Sequence, residues 1–327
     1  MRIGVLPPYV DITGTLLDAQ GVAERARMIE AAGLDSLWVS DRLPLPGYPR
    51  LDGPDPFAYL ALAAYATERI ELGTAIHIVS LRNKYDSAQR MFTLQTFAPG
   101  RVTIGVGTGS QPREYDSVGV DWEQRFTLLG EGMLAIRQVF AGRQVPELEA
   151  LFAEKGTDNA YGHWLGGAFG EADPWADEPA WPVKVGAPRF VLGAWYSAAQ
   201  LRRAATQFDG WMASGGAGAM FGGWVKMRDA VKRYRDLGGG RALMTSVECD
   251  LSAPTTALDE AGAFHLRCGA EVATERLLEL EEIGFDDVIL SITDHRSTVL
   301  PGPRQYDFTA EVLEEIRSLL PKDVRRP

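Results

Sequence analysis

Residues 70–76 read Ile-Glu-Leu-Gly-Thr-Ala-Ile, and residues 102–106 read Val-Thr-Ile-Gly-Val. A longer amphipathic segment joins these two short runs, which are rich in Val and Ile. Short apolar runs bounded by Gly, Pro or charged turns predict buried strands, and the segment between them predicts a helix. The stretch is therefore predicted to form a strand–helix–strand unit, which is typical of a parallel sheet.

The same unit recurs along the whole chain. The first helix is predicted from about Asp18 to Gly33, since glycine commonly ends a helix. Further strands are predicted at Arg2–Leu6, Ser36–Ser40, Phe190–Leu192, Gly210–Ala213, Leu243–Cys249 and Val288–Ile292. Later helices are predicted near Ser197–Thr206, Trp224–Leu237, Glu271–Ile283 and Ala310–Leu320. Eight such units predict a closed (β/α)8 TIM barrel, and an open doubly wound sheet, which uses the same unit, is the competing architecture.

One long segment interrupts this alternation. Residues from about 144 to 188 follow the fourth helix, fit no strand–helix unit, and contain many Gly and Pro residues together with Trp164, Trp175 and Trp181. Insertions longer than about 15 residues are commonly lids, binding loops or disordered segments, and the tryptophans argue against disorder. We interpret residues 1–327 as one barrel domain whose insertion either closes over a cofactor or apolar substrate or covers the barrel or a subunit interface.

Composition and charge restrict the partners of the chain. Hydrophobic residues make up 46% and charged residues 24%, which is typical of a soluble globular protein. The formal net charge of −11 argues against nucleic-acid and anionic-membrane partners, because both would repel the protein. Cys249 and Cys268 are too few for a disulfide framework, and neither a signal peptide nor a membrane-spanning apolar stretch is visible. We therefore expect a cytoplasmic protein.

Candidate site residues follow from the barrel prediction, because function in such barrels lies where the strands end. They are Asp41 and Arg42 after the second strand, His77 after the third, Gly107, Thr108, Gly109 and Ser110 after the fourth, and Gly193, Ala194 and Trp195 after the fifth. The glycines and hydroxyls could bring donors close to a phosphate. Simpler readings stay open: an ion pair or helix cap at Asp41–Arg42, a packed histidine, and a tight turn at Gly107–Ser110.

Several protein-based chemistries lack their sequence patterns. The histidines are scattered singly at His77, His163, His265 and His295, so no metal site is predicted. The Gly-x-Ser-x-Gly motif and the phosphate-binding P-loop are absent, and the glycines at 105–109 are followed by Ser110 where the dinucleotide fingerprint needs Gly. A barrel so poor in catalysts of its own is expected to take its chemistry from a cofactor.

Four segments, taken in order, resemble the luciferase-like family. They are residues 32–41 (AGLDSLWVSD), 70–75 (IELGTA), 100–109 (GRVTIGVGTG) and 208–211 (FDGW). The resemblance implies an oxidoreductase that uses coenzyme F420 for hydride transfer or reduced FMN for monooxygenation. The motifs favour F420, because they look most like those of the family members that use this deazaflavin.

The resemblance also implies where the cofactor would lie. Its ring would occupy the C-terminal face of the barrel, backed by a non-prolyl cis peptide bond at Ala75–Ile76 and hydrogen-bonded by Asp41. The glycine segments at 107–110 and 193–195 would lie near the phosphate-bearing chain. Trp195 and the insertion would enclose a small apolar or aromatic substrate, and a homodimer is expected. The candidates for proton transfer are His77, Arg42 and His163.

The chain departs from the family pattern in the loop after the third strand, where residues 83–85 (NKY) replace a usual Pro, and at two candidate site positions. Arg42 stands where members commonly have His, and Ser110 stands where the relatives that oxidise a sugar phosphate have Glu. These departures motivate an alternative from another class, a non-catalytic barrel that binds a flavin or an apolar ligand. A cofactor-free barrel enzyme is a third possibility.

Overall fold

Nine parallel strands are present in the computed structural model, which describes residues 1–11, 15–45, 53–142, 179, 181–215, 222–292 and 308–320. The strands are β1 Arg2–Val5, β2 Ser36–Val39, β3 Glu71–Ile78, β4 Val102–Gly107, β5 Arg189–Gly193, β6 Gly210–Ser214, β7 Arg241–Asp250, β8 His265–Arg267 and β9 Asp287–Ile292. Strands β1 to β7 pair consecutively, β7 pairs with β9, and β9 pairs with β1. These eight strands close a barrel, so the predicted TIM barrel is confirmed and the open sheet is wrong.

Helices cover the outside of this barrel. Those in the described residues are α1 Ala19–Ala31, α2 Pro56–Ala66, α3 Lys84–Phe97, α4 Pro112–Ser117, α5 Arg125–Phe140, α6 Trp181–Val185, α7 Ala198–Gln207, α8 Trp224–Asp236, α9 Ala270–Ile283 and α10 Ala310–Ser318. Side-chain caps fix several starts: Asp18 accepts a hydrogen bond from Gly21 N at 2.8 Å, and Asp55 caps α2. Within the described ranges, no helix is long and apolar enough to cross a membrane.

The observed strands differ in detail from the predicted ones. Strand β3 runs to Ile78, and β7 extends from Arg241 to Asp250. The short β8 was not predicted, because three residues that pair only with β7 give no periodic signal. Most of the predicted insertion, residues 144–178 and 180, lies outside the described residues, whereas its last part contains α6.

Charged side chains close the N-terminal end of the barrel. Glu71 is 4% exposed and accepts hydrogen bonds from Arg241 at 2.7 and 3.0 Å, and Arg2 approaches it to 2.6 Å. Arg241 also donates to the buried Asp287 at 2.8 Å. Burial opposes ionisation of Glu71, but the hydrogen bonds and charges of Arg241, with help from Arg2 and Thr103, lower its pKa to about 2. Arg2, Glu71, Arg241 and Asp287 are called the ionic layer below.

An apolar layer fills the middle of the barrel above the ionic layer. It consists of Trp38, Val191, Met212, Leu243 and Ile289. A Cβ atom at Gly73 would overlap the Trp38 ring, so glycine at this position lets the indole lie flat across the lumen. The Trp38 indole N–H donates to Ser36 Oγ at 2.8 Å, which satisfies its only polar group. The barrel is therefore sealed below, and its C-terminal end, called the mouth, is the end available to a ligand.

Candidate active site

Three half-buried apolar side chains form the floor of the mouth. Leu6, Ala75 and Ile76 pack on the apolar layer from its C-terminal side and are called the apolar platform. The peptide bond between Ala75 and Ile76 is cis, as the family resemblance implied. The pairing of β3 with β4 shifts register between Thr74 and His77. Strand β3 therefore bulges where it forms the platform.

Glycines at the ends of β4 and β5 make room for Ile76. A Cβ atom at Gly107 would overlap Ile76 Cδ1 and lie 3.0 Å from the carbonyl oxygen of Gly193. A Cβ atom at Gly193 would lie 2.5 Å from Ile76 Cγ2. Ile76 is thus seated against bare backbone on two neighbouring strands. Packing alone accounts for both glycines, and their predicted contact with a phosphate-bearing chain stays a prediction.

A buried hydrogen-bond network lies beside the platform and is centred on Asp41. Its carboxylate accepts from His77 Nδ1 at 2.8 Å, from Arg82 Nη2 at 2.6 Å and from Ile78 N at 3.2 Å. Burial opposes ionisation, but the bond from His77, the charge of Arg82 and the N–H of Ile78 together keep the pKa of Asp41 below its usual value. Asp41 therefore ties the end of β2 to the end of β3 as a carboxylate.

His77 uses both ring nitrogens inside the protein. Nδ1 bonds to Asp41, and Nε2 lies 3.0 Å from Ser87 Oγ on α3. The ring is 2% exposed and meets Phe57 edge-on, with the centroids 5.1 Å apart. The structure thus places His77 behind the platform, where it orients Asp41.

Arg42 follows Asp41 and points to a different partner. Its guanidinium lies 3.3 Å from Oε2 of Glu114, a buried residue of α4, and Leu43 N donates to the other carboxylate oxygen at 3.0 Å. These contacts hold the loop after β2 against α4. A guanidinium keeps its charge in proteins, so Arg42 suits anion binding better than proton transfer.

Tyr115 holds the loop between β4 and α4. Its hydroxyl donates to the carbonyl oxygen of Thr108 at 2.6 Å and is also hydrogen-bonded to Ser80 Oγ. Gly109 has φ +68°, and a Cβ atom there would meet Ile78 Cδ1 at 2.9 Å. Ser110 is exposed. The loop is a glycine turn at the rim of the mouth, and its predicted role in phosphate binding stays a prediction.

The end of β5 brings three further predicted residues to the same rim. Ala194 N donates to Met212 O at 3.2 Å, and Ala194 O accepts from Trp211 Nε1 at 2.9 Å. Both backbone groups are thus satisfied by the barrel. Trp195 is half-buried and packs on the core beside this segment. Gly193, Ala194 and Trp195 therefore share the rim with Gly107, Thr108, Gly109 and Ser110.

One predicted residue, His163, lies outside the described residues, as do Trp164 and Trp175. Conversely, the predictions took no residue from the ends of β6, β7 and β9. Side chains alternate along a strand, and each of these three strands has a residue two positions after its member of the apolar layer. These residues, which therefore face the lumen, are Ser214, Thr245 and Ser291. The period-two pattern of these strands was the available signal, but serine and threonine at a strand end carry no recognisable motif.

Comparison with known proteins identifies a family and related folds. The family model described as luciferase-like monooxygenase matches residues 1–239. An F420-dependent glucose-6-phosphate dehydrogenase from Beutenbergia cavernae is 36% identical over 122 residues, and this match covers 36% of each protein. The chain thus matches only about a third of the length of this curated relative.

Two solved structures share the fold over nearly the whole chain. The monooxygenase RslO1 from Streptomyces bottropensis superposes with a TM-score of 0.66 at 17% identity, covering 98% of both chains. The oxygenating constituent of 3,6-diketocamphane monooxygenase from Pseudomonas putida, in complex with FMN, gives 0.65 at 15% identity, covering 97% of this chain and 96% of that one. At these identities the likeness shows the fold alone. Because the family model matches more than half of the chain, the protein belongs to the luciferase-like monooxygenase family.

Proposed function

We propose that the protein is an oxidoreductase that binds coenzyme F420, or else reduced FMN, in the mouth of the barrel. F420 would serve hydride transfer and reduced FMN would serve monooxygenation, each on a small organic substrate. The relative named above supports F420, because its name records that cofactor, and the structure in complex with FMN supports the second reading. We favour F420 on the motifs at 32–41 and 100–109.

The apolar platform is the observation that carries the proposal. Ala75 and Ile76 present a half-buried apolar surface at the open end of a barrel that is sealed below by Trp38. Stacking a tricyclic aromatic ring on such a surface is favourable, because it removes apolar area of both the ring and the platform from water. The mouth therefore fits the ring of a flavin or deazaflavin.

Cationic side chains at the same end fit the anionic part of these cofactors. Arg82 is 22% exposed, is held by Asp41, and has a buried Nε with no hydrogen-bond partner in the described part of the chain. Arg42 is 28% exposed on the same side of the barrel. In a protein of net charge −11, an anionic ligand needs such local positive groups.

The residues around the platform would bind and orient rather than react. When bound, the cofactor supplies the electrons of the reaction. Asp41 would hold Arg82 toward the ligand, and His77 would hold Asp41, since its own ring is buried and fully hydrogen-bonded. The glycine turn at 107–110 and the segment 193–195 would accommodate the phosphate-bearing chain, with Trp195 beside the substrate.

The homodimer and the apolar substrate also belong to this proposal. Large apolar side chains are exposed on neighbouring helices α2, α3 and α5, namely Tyr65 (87%), Phe97 (57%) and Leu134 (60%). Exposed apolar groups on adjacent elements favour contact with another protein surface. We propose that this face pairs with a second copy of the chain.

We also propose that the protein acts in the cytoplasm. Its substrate would be a small apolar or aromatic molecule.

The proposal is tested by anaerobic titration of the protein with F420 and, separately, with reduced FMN. Binding is followed by quenching of fluorescence from the eight tryptophans. Arg82→Met should weaken cofactor binding about tenfold or more, because it removes a charged hydrogen-bond donor from the mouth. Arg27→Met makes the same charge change on the exposed side of α1 and should leave binding unchanged.

The outcomes of this titration and of activity assays distinguish the possibilities. Saturable binding of F420 that depends on Arg82 supports hydride transfer, and binding of reduced FMN alone supports monooxygenation. Binding without any change of cofactor redox state over an exhaustive substrate screen supports the non-catalytic alternative. Binding of neither cofactor contradicts the proposal, and activity retained after complete removal of flavins would favour a cofactor-free enzyme.

A further inference from the structure

The wall of the mouth formed by β6, β7 and β9 carries hydroxyl side chains. On these strands Met212, Leu243 and Ile289 point into the apolar layer. Side chains alternate along a strand, so the residue two positions further on faces the same lumen, one layer nearer the mouth. Those residues are Ser214, Thr245 and Ser291. Ser214 and Thr245 are also direct partners in the pairing of β6 with β7.

Thr245 holds a buried hydroxyl that the protein leaves unpaired. The residue is 6% exposed, and its Oγ1 has no hydrogen-bond partner among the residues that the structure describes. A hydroxyl withdrawn from water without a partner is unfavourable, and native proteins rarely keep one. An unpaired buried group that faces a ligand-accessible lumen indicates that a ligand completes the hydrogen bond.

The backbone beside Thr245 is shaped to place this side chain. Ser246 has φ +58°, and it is the one non-glycine residue with a positive φ in the described ranges. The pairing of β7 with β9 shifts register between Met244 and Val247. Bulges of this kind re-aim side chains and occur next to active sites. The left-handed conformation at Ser246 is unfavourable for a residue with a Cβ atom, so its presence points to a functional constraint.

Thr245 lies across the mouth from the apolar platform. In the closed ring of eight strands, β7 is four strands away from β3 in both directions. Thr245 on β7 therefore faces Ala75–Ile76 on β3. A planar ring that rests one face on Ala75–Ile76 turns its other face toward β7. A substrate that reacts at this second face would lie between the ring and Thr245.

We propose that Thr245 Oγ1, beside its strand partner Ser214, forms a hydrogen bond with an oxygen atom on the reacting group of the substrate. A hydroxyl can donate to a carbonyl oxygen and accept from an alcohol, so the substrate class is small alcohols or carbonyl compounds. This inference rests on the proposed function, because it takes the cofactor ring to lie on Ala75–Ile76. It adds the chemical group that the substrate must carry.

Unfolding of the protein without cofactor provides the first test. Thr245→Val replaces the hydroxyl by a methyl group of similar size, and Thr245→Ser retains the hydroxyl. Because Oγ1 has no partner in the described protein, Thr245→Val should leave the urea midpoint unchanged or raise it. A lowered midpoint for Thr245→Val, restored in Thr245→Ser, would show that the hydroxyl serves the fold and would overturn the proposal.

Binding to the cofactor-loaded protein provides the second test. The probes are cyclohexanone and methylenecyclohexane, which has a methylene group in place of the carbonyl oxygen, and calorimetry measures their dissociation constants. The wild type should bind the ketone about tenfold more tightly, as one hydrogen bond allows. Thr245→Val should lose this preference and Thr245→Ser should keep it. Thr96→Val, an exposed site on α3, is the matched control and should behave as the wild type.

The outcomes separate this inference from the function on which it rests. Normal cofactor binding without a ketone preference in the wild type, including binding of neither probe, overturns the Thr245 site alone. A preference that survives in Thr245→Val also overturns it. Failure of both F420 and FMN to bind overturns the proposed function and the Thr245 site together.

Discussion

Replacing Glu71 by Gln removes one negative charge from the ionic layer and keeps the length of the side chain. Glu71 accepts two hydrogen bonds from Arg241, at 2.7 and 3.0 Å, and pairs with Arg2 at 2.6 Å. In Glu71→Gln the neutral amide offers these two guanidinium groups a single acceptor oxygen and no charge. We therefore expect a lower free energy of unfolding.

Two routes give the same magnitude for this loss. The hydrogen bonds and charges of Arg241, with Arg2 and Thr103, overcome the effect of burial and lower the pKa of Glu71 from 4.5 to about 2. One pKa unit is worth about 1.4 kcal/mol, so the shift corresponds to roughly 3 kcal/mol. Removing one partner of a buried ion pair costs about 3 to 5 kcal/mol. At pH 7 we expect Glu71→Gln to lose about 3 kcal/mol.

The loss should depend on pH in a defined direction. The folded-state pKa of Glu71 lies below its usual value, so its contribution is fully present above about pH 4.5 and is lost as the pH falls through about 2. At pH 3 the difference in unfolding free energy between wild type and Glu71→Gln should be about half of its value at pH 7.

Urea denaturation at pH 7 and at pH 3 measures both quantities. Glu260→Gln is the matched control, because Glu260 makes an exposed pair with Arg228 at 3.6 Å. This control should lose less than about 1 kcal/mol, as exposed pairs do. A loss below about 1 kcal/mol for Glu71→Gln at pH 7, or a loss of equal size at both pH values, would refute the reasoning.

Further expected outcomes concern the mouth and the outer helices. Gly107→Ala places a Cβ atom into Ile76 and should cost about 1 to 3 kcal/mol of unfolding free energy, whereas the helical Gly130→Ala should be neutral or stabilising in the same urea assay. Asp41→Asn releases Arg82 and should weaken cofactor binding about tenfold in the fluorescence titration, and wild-type affinity would contradict the network's role. Phe97→Asp should shift the protein from dimer to monomer in analytical ultracentrifugation, and an unchanged dimer would exclude the α2–α3–α5 face.

The barrel could be predicted because it depends on local alternation. Short runs such as 102–106 and the helices between them carry their signal within a few residues, and eight of them leave little choice of architecture. In such barrels the functional residues lie where the strands end, and this rule predicted that Asp41, His77 and the glycine segments lie at one end of the barrel. The prediction of the cis bond at Ala75–Ile76 came from the family resemblance and not from any property of the two residues.

Features that depend on distant partners could not be predicted. The ionic layer joins Arg2, Glu71 and Arg241, which are far apart in the sequence and unremarkable one by one. The pairing of Asp41 with His77 and Arg82 requires the relative position of two strand ends. The unpaired state of Thr245 is a property of everything around it, so a threonine in an apolar strand gives no hint of it.

The central claim is that a flavin or deazaflavin ring rests on the apolar platform in the mouth. A crystal structure of the protein with F420 or FMN bound tests it most directly. The account predicts that the ring lies with one face on Ala75–Ile76, that Arg82 lies beside it, and that its other face is turned toward Thr245. A ring bound anywhere else on the barrel, or a mouth that stays empty at saturating cofactor, would contradict it.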